Sequence, residues 1–181
     1  MDLNSLFNKD ARIMAFDDTP FSRGQSSTSL VGLIMRKDMY IESVLKDRIR
    51  VDGDDSTDVI ISMVERKGSG ISVIMTQGIT FGGFNILDVK KLFAETGIPV
   101  INVVDHKPDM ERMKDALVKH FSDWEKRINL LRDEFTEYKG IFIQTSGIGP
   151  MHAYKFIRQV TVSGTLPEPL RLVNMIAGIV N

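Results

Sequence analysis

The chain has 181 residues, 43% of them hydrophobic, so it is long enough to bury the core of one domain. Its 23 Lys and Arg against 24 Asp and Glu give a net charge of −1, which argues against a protein that coats nucleic acid by bulk charge but leaves room for a local basic face. Cysteine is absent, which excludes disulfides, zinc–thiolate sites and thiol catalysis.

The N-terminal part of the sequence predicts a three-stranded antiparallel meander. Asp17-Asp18 ends the first apolar run, and a polar loop, Ser22–Ser29, leads to the second. Lys37-Asp38 supplies a tight reversal into the third strand, where hydrophobic alternation breaks near Ser43–Leu45 and a β-bulge would restore the buried face. The three predicted strands are Arg12–Phe16, Leu30–Met35 and Tyr40–Val51.

Helices and strands alternate in the rest of the sequence. Asp55 or Ser56 can cap a first helix that ends at Lys67, and the apolar run Ile71–Met75 is typical of a strand buried on both faces. A helix then leads to the strand Val100–Val104, and this strand–helix–strand unit implies a right-handed parallel crossover. The other predicted elements are helices at Asn85–Ala94, Asp109–Tyr138 with a break near Ser122, Met151–Val162 and Pro167–Ile179, and a short strand at Ile141–Gln144.

This order of elements is similar to that of a ribonuclease H-like domain: an α/β fold with a mixed sheet, in which an antiparallel meander adjoins parallel strands and helices flank the sheet. No segment approaches the length of a membrane span, and Met1 to Ala11 lack the apolar stretch of a signal peptide. The expected location is therefore cytoplasmic, with no membrane partner.

Acidic residues stand where the predicted elements turn: Asp17-Asp18, Asp52 to Asp55, and Glu168. The chain has no nucleophile constellation and no phosphate-binding loop, so chemistry here would run through carboxylates and a divalent cation. Each cluster also has a structural interpretation. Asp17-Asp18 can cap a turn, and the second cluster can complement the dipole of a helix start.

Four local motifs resemble those of an uncharacterised, mostly archaeal family that is itself related to endonuclease V, the metal-dependent nuclease that incises nucleic acid near deaminated purines. The resemblance covers the chain from Arg12 onward. It implies a single endonuclease V-like domain over residues 1–181, Mg²⁺ or Mn²⁺ as cofactor, and nucleic acid as partner. The motifs are Phe16–Phe21, Val51–Thr57, Gln77–Asn85 and Leu166–Arg171.

The resemblance also assigns candidate catalytic residues. The first-strand aspartate of the nuclease falls on Asp18, with Asp17 as the near alternative, and its glutamate falls on Asp55. These three are the candidate catalytic residues, and Asp18 and Asp55 are the candidate metal ligands. Its second aspartate falls on Gln77, which is neutral, so one metal ion is expected rather than two. Its histidine falls near Ile148, which cannot ligate a metal.

Substrate contacts are expected around the glycine-rich motif. The amides of Gly78, Gly82 and Gly83 could receive a phosphate or nucleobase, or the glycines could mark only a tight connection. Glu168 could instead pair with Arg171 within one helix turn. The loop that parts nucleic-acid strands in the nuclease is shortened around Asp52-Gly53. The candidate substrate-binding residues are Gln77, Gly78, Gly82, Gly83, Asn85, Glu168 and Arg171.

Two functions stay open at this point. The first is a Mg²⁺- or Mn²⁺-dependent nuclease or phosphodiesterase acting on DNA or RNA. The second is a catalytically degenerate ribonuclease H-like module that binds nucleic acid, a nucleotide or a protein partner, which would explain Gln77 and Ile148 directly. His106, His120 and His152 lack the spacing of metal ligands, and the charges interleaved between Arg112 and Arg132 predict a solvated helix face.

Overall fold

The computed structural model describes residues 6–67 and 69–180, which contain nine β-strands and six α-helices. Within these residues, no helix is both long enough and apolar enough to cross a membrane. The strands are β1 (Arg12–Asp18), β2 (Ser27–Arg36), β3 (Ile41–Arg50), β4 (Ile71–Gln77), β5 (Thr80–Phe81), β6 (Asn85–Ile86), β7 (Val100–Val104), β8 (Thr136–Tyr138) and β9 (Ile141–Ser146). The helices are α1 (Ser56–Lys67), α2 (Val89–Thr96), α3 (Met110–His120), α4 (Trp124–Leu130), α5 (Pro150–Gln159) and α6 (Glu168–Ala177).

Seven strands form one mixed sheet in the order β3-β2-β1-β4-β7-β9-β8. β1, β2 and β3 are the predicted antiparallel meander. β1, β4 and β7 run parallel to one another, as helical crossovers between them require. β5 and β6 form a separate hairpin between β4 and α2. The mixed sheet that the sequence predicted is therefore confirmed.

Helices cover both faces of this sheet, and the two faces have separate cores. Because side chains alternate along a strand, β1 sends Met14 and Phe16 to the core shared with α1 and α2, whereas Ile13 and Ala15 join the core of α5 and α6. A strand buried on both faces reads as a continuous apolar run. The same alternation makes the side chains at the end of β1 leave the sheet on opposite faces.

The meander departs from the prediction at three points. β1 extends two residues beyond the predicted end at Phe16, because Asp17 and Asp18 still pair with β2. β2 begins at Ser27 rather than Leu30, because Ser27 to Ser29 pair with β3 through backbone hydrogen bonds, which need no apolar side chain. The bulge in β3 lies at Glu42, since Ile34 pairs with Ser43 but Met35 pairs with Ile41. It is one residue before the predicted segment.

Two predicted helices also needed correction. The helix predicted over Asn85–Ala94 begins only after Asp88, whose side chain accepts hydrogen bonds from the amides of Lys90 and Lys91. Asn85 instead belongs to the β5–β6 hairpin. The helical stretch predicted to Tyr138 breaks near Ser122 as expected but ends at Leu130. Its last residues form β8, which turns into β9 through Lys139 and Gly140, both with positive φ.

The centre of the sheet carries two polar groups without partners. Thr76 on β4 is paired in register with Asn102 on β7, and both side chains are fully buried. Thr76 Oγ1 and Asn102 Oδ1 have no hydrogen-bond partner within residues 6–67 and 69–180. An unmade buried hydrogen bond costs about 1–3 kcal/mol.

We therefore expect Thr76→Val, which replaces the hydroxyl by a methyl group, to raise the free energy of unfolding in urea by about 1 kcal/mol. The matched control is Thr57→Val, because Thr57 is also buried but its Oγ1 accepts a hydrogen bond from the amide of Asp88 at 2.9 Å. That variant should lose about 1–2 kcal/mol. Equal losses in the two variants would contradict the prediction and indicate a buried water on Thr76.

Candidate functional site

Asp17 lies near the end of β1 on the face that α6 covers. Its Oδ2 accepts a hydrogen bond from Asn174 Nδ2 on α6 at 2.8 Å, and its Oδ1 accepts one from the amide of Asp18 at 2.9 Å. Burial raises the pKa of Asp17 above its ordinary value, and these two hydrogen bonds only partly offset that effect. The folded protein thus holds a desolvated carboxylate on neutral donors.

Asp18 projects to the opposite face, toward the β5–β6 hairpin. Its Oδ2 accepts a hydrogen bond from the amide of Gly82 at 3.1 Å. Burial raises the pKa of Asp18, the hydrogen bond from Gly82 lowers it, and the charge of Asp17 raises it further. The charge of Asp17 thus disfavours the charged form of Asp18, and a cation at this end of β1 would offset that effect.

Gln77 shares the face of Asp17. It ends β4, the strand beside β1, and the pairing of Phe16 with Thr76 brings Asp17 and Gln77 to neighbouring positions. Gln77 lines a small cavity of about 70 Å³ together with Asp105 and Leu166. Asp17, rather than Asp18, is therefore the carboxylate that lies on the same face as Gln77.

Ile148 lies near the position at which the nuclease has a histidine. Ile148 is buried in the core between the sheet and helices α5 and α6, where its side chain contributes apolar contact. His152 lies on α5 and is exposed. Ile148 thus packs into an apolar core, in keeping with the sequence interpretation that it ligates nothing.

Asp55 directly precedes α1, but its carboxylate binds groups outside that helix. It accepts hydrogen bonds from Arg50 Nε at 3.1 Å and from Asn85 Nδ2 at 2.6 Å, while Asn85 Oδ1 accepts the amide of Ser56 at 2.9 Å. Asn85 is thus the residue that caps α1, and Asp55 is paired with a cation of the protein. Asp18 and Asp55 contact different residues of the hairpin, Gly82 and Asn85.

The donor set for a metal is small. Across the two ranges that the structure describes, no group of three or more His, Cys, Asp and Glu side chains is placed to hold a metal ion. Asp17 and Asp18 would thus contribute few ligands to a cation. Mg²⁺ commonly binds proteins through one or two carboxylates and completes its coordination with water and substrate phosphates, so the residues present fit that cation.

Gly82 and Gly83 lie where the β5–β6 hairpin packs closely against Asp52. Gly83 has a φ of 87°, and a Cβ there would clash with Asp52 Oδ1, which accepts the amide of Phe84 at 2.9 Å. The carbonyl of Gly82 accepts the amide of Asp52 at 2.7 Å. The amides of Gly82 and Phe84 are therefore used by Asp18 and Asp52. Of the three candidate glycines, only Gly78 has open space around it.

Glu168 and Arg171 form an ion pair within the first turn of α6. Arg171 Nη2 and Nε donate to the two carboxylate oxygens of Glu168 at 2.6 and 2.8 Å. The hydrogen bonds from Arg171 lower the pKa of Glu168. Both candidate substrate-binding side chains thus bind each other, as their spacing within one helix turn allows.

Arg127 is the residue that the sequence interpretation missed. It was placed on a solvated helix face, which is wrong, because only 7% of the residue is exposed. Its guanidinium donates to the carbonyls of Gly53 and Phe84 at 2.9 and 2.8 Å and to that of Asp52 at 2.9 Å. Nε donates to Asp123 at 2.9 Å, and the group stacks 4.3 Å from the centre of the Phe121 ring. Arg127 therefore joins the β3–α1 connection to the β5–β6 hairpin.

The chain is similar to known proteins both in sequence and in structure. The family model described as Endonuclease dU matches residues 9–181. A UPF0215 protein of Thermococcus gammatolerans is 41% identical over 180 residues, which cover 94% of this chain and 92% of that protein. The crystal structure of a protein of unknown function from Archaeoglobus fulgidus is 34% identical with a TM-score of 0.84, and the match covers 92% of this chain and 96% of that one.

A more distant structural likeness concerns the fold. Endonuclease V of Ciona intestinalis, solved with a 24mer DNA that contains an inosine followed by a ribo-adenosine, superposes with a TM-score of 0.61 at 12% identity. The match covers 93% of this chain and 85% of that one. At this identity the likeness speaks for the fold alone, and it confirms the predicted ribonuclease H-like architecture.

Proposed function

The chain belongs to the endonuclease dU family, and from this premise we propose that it is a divalent-metal-dependent endonuclease that cleaves nucleic acid at a deaminated base. The family description makes deoxyuridine in DNA the first target to test. The predicted resemblance to an endonuclease V-like family with archaeal members is confirmed. Metal dependence, substrate and site residues are parts of the proposal.

The observation that carries the proposal is the carboxylate pair at the end of β1. Asp17 and Asp18 are both desolvated, both have a raised pKa, and both are held by neutral donors. Carboxylates with raised pKa values are concentrated at functional sites, and this supports the proposal. A cation held by Asp17 or Asp18 would neutralise phosphate charge and lower the pKa of a bound water.

Neighbouring side chains have supporting roles in this proposal. Asn174 orients Asp17 from α6, and Gly82 orients Asp18 from the hairpin. Gln77, on the face of Asp17, offers an amide that can donate to a phosphate oxygen or accept from water. Asp55 was predicted as a second ligand, but its pairing with Arg50 and Asn85 favours a role in fixing the start of α1.

Three features of the chain favour a second candidate function. Asp55 is neutralised by Arg50, and neither Gln77 nor Ile148 is a carboxylate or histidine. A chain with these three features could keep the fold and a nucleic-acid cleft without turnover. This degenerate binding module predicts that the protein binds an oligonucleotide but leaves it intact.

A cleavage assay distinguishes the endonuclease from the degenerate binding module. The substrates are labelled DNA oligonucleotides with one deoxyuridine, one deoxyinosine or only ordinary bases, with matching RNA strands. We expect cleavage of the deoxyuridine strand in Mg²⁺ or Mn²⁺, loss of cleavage in EDTA, and recovery when the metal is restored. Binding without cleavage under every metal condition would favour the degenerate module. Neither binding nor cleavage of any strand would contradict both.

A further inference from the structure

A polar pocket opens directly after the two carboxylates of β1. Thr19 and Pro20, which follow Asp18 in the chain, form one wall, and Ser29 on β2 and Arg48 on β3 form others. The pocket has a volume of about 260 Å³. It shares no lining residue with the small cavity beside Gln77. We propose that this pocket binds a phosphate group, and that the phosphate is one of a nucleic-acid strand crossing the end of β1.

The hydroxyls of Thr19 and Thr28 in the pocket wall already use their hydrogens in hydrogen bonds within the protein. Thr28 Oγ1 donates to the carbonyl of Thr19 at 2.8 Å, so the contact of 2.9 Å between the two hydroxyls must be a donation from Thr19 to Thr28. The amide of Ser29 donates to Thr19 Oγ1 at 3.2 Å. Both threonines are buried. This chain of hydrogen bonds fixes the wall of the pocket before any ligand arrives.

The side-chain polar groups that remain can each donate a hydrogen bond. The Oε1 atom of Gln25 accepts the amide of Ser22 at 2.6 Å, which leaves the NH₂ group of Gln25 for a ligand. The hydroxyls of Ser27 and Ser29 make no hydrogen bond anywhere in residues 6–67 and 69–180. Donors that lack acceptors suit a ligand rich in acceptor oxygens, such as a phosphate.

Arg48 supplies the positive charge. Over the same described ranges, its guanidinium has no ion pair and no hydrogen bond, and the residue is exposed. The nearest acid along the strand, Asp47, is paired with Arg66 of α1 on the other face of β3. Arginine binds phosphate through a rigid fork of donors. An unpaired arginine beside a wall of donors therefore favours an anion over a neutral ligand.

The position of the pocket connects it to the candidate site. Asp17 pairs with Val31, and Ser29, two residues away on the same face, pairs with Arg48. Two strand spacings and one two-residue step separate Asp17 from Arg48 by about 12 Å. A single nucleic-acid strand can contact both. The choice of a nucleic acid as the source of the phosphate rests on the proposed function, whereas the affinity for phosphate itself does not.

The phosphate part is tested without nucleic acid. Inorganic phosphate is titrated into the wild-type protein while the backbone amide signals of Thr28 and Ser29 are followed by nuclear magnetic resonance. We expect saturable shifts of these signals, lost in Arg48→Gln and kept in Arg112→Gln. Arg112 is a matched control because it is exposed on α3 and its guanidinium is likewise unpaired in the described chain. If the signals do not shift, or shift equally in both variants, the proposed binding of phosphate by this pocket is contradicted.

The nucleic-acid part is tested by fluorescence anisotropy with a labelled deoxyuridine-containing strand in EDTA, over a series of salt concentrations. Arg48→Gln should bind about tenfold more weakly, and the slope of log affinity against log salt should fall in magnitude by about one. Arg112→Gln should match the wild type. Equal affinity and slope in wild type and Arg48→Gln would reject the strand contact but not the proposed function. Phosphate shifts without any strand binding would support the pocket for free phosphate and reject the strand contact, whereas the cleavage assay with added metal decides the proposed function separately.

Discussion

Replacing Asp17 by asparagine is expected to lower metal-dependent cleavage more than about 100-fold, because even outer-shell partners of a metal contribute about 10- to 100-fold. Asparagine keeps the shape of the side chain, and its Oδ1 can still accept the hydrogen bond from the amide of Asp18. Its NH₂ group can donate to Asn174 if the side-chain amide of Asn174 flips to present its oxygen, so the variant should fold normally while it loses the negative charge. The measurement is the single-turnover rate on the deoxyuridine strand at saturating Mn²⁺.

The same variant should be more stable than the wild type near neutral pH. The pKa of Asp17 in the folded protein lies above its ordinary value of 3.8, so the folded state holds a proton more tightly than the unfolded state does. Above the folded pKa, the charged carboxylate therefore costs stability. That cost disappears as the pH falls through the folded pKa toward 3.8, and the advantage of Asp17→Asn should shrink with it.

The control for both measurements is Asp10→Asn, which changes an exposed carboxylate away from the site. It should leave the cleavage rate and the unfolding free energy close to the wild-type values. An unchanged cleavage rate in Asp17→Asn would show that residues other than Asp17 carry out the reaction. A destabilised Asp17→Asn would show instead that the charge of this carboxylate supports the fold, contrary to the direction of its pKa.

Replacing Arg127 by methionine is expected to lower the free energy of unfolding by about 3–5 kcal/mol. Methionine fills much of the same space but leaves the carbonyls of Asp52, Gly53 and Phe84 without their donor. Each orphaned carbonyl costs about 1–3 kcal/mol if water cannot reach it. The measurement is urea unfolding, combined with limited proteolysis of the β3–α1 connection and the β5–β6 hairpin.

Arg50→Met is the matched control for Arg127→Met. Arg50 also contacts the β3–α1 connection, through Asp54 and Asp55, but its side chain is 63% exposed. Water can replace it there, so the loss of stability should be much smaller. Arg127→Lys keeps the charge with fewer donors and should fall between the two. Similar losses in Arg127→Met and Arg50→Met would refute the structural role given to Arg127.

The sequence was a good guide wherever a strand is buried on both faces. Val100–Val104 was predicted with its observed limits, because Pro99 precedes the apolar run and a polar turn follows it. The β5–β6 hairpin was missed, since strands of two residues have no hydrophobic period to detect. The hydrophobic pattern therefore predicted the strands of the large sheet more accurately than the connections around the candidate site.

The candidate site was only partly predictable for a related reason. β1 is apolar at every position from Ile13 to Phe16, so no alternation reveals whether Asp17 or Asp18 shares a face with Gln77. Arg127 was missed because its partners are backbone carbonyls as much as 75 positions away, which leave no trace in the side-chain sequence. Such contacts depend on the tertiary fold.

The contact between Asn174 and Asp17 also sets an order of events during synthesis. The two residues are 157 positions apart. At translation rates of about 5–20 residues per second, the ribosome makes Asn174 roughly 8–30 s after Asp17. For that interval the residues of β1 and β2 that pack against α6 lack this contact, and the nascent chain exposes part of their apolar surface. The carboxylate that we propose for metal binding is thus oriented by Asn174 only when α6 has been translated.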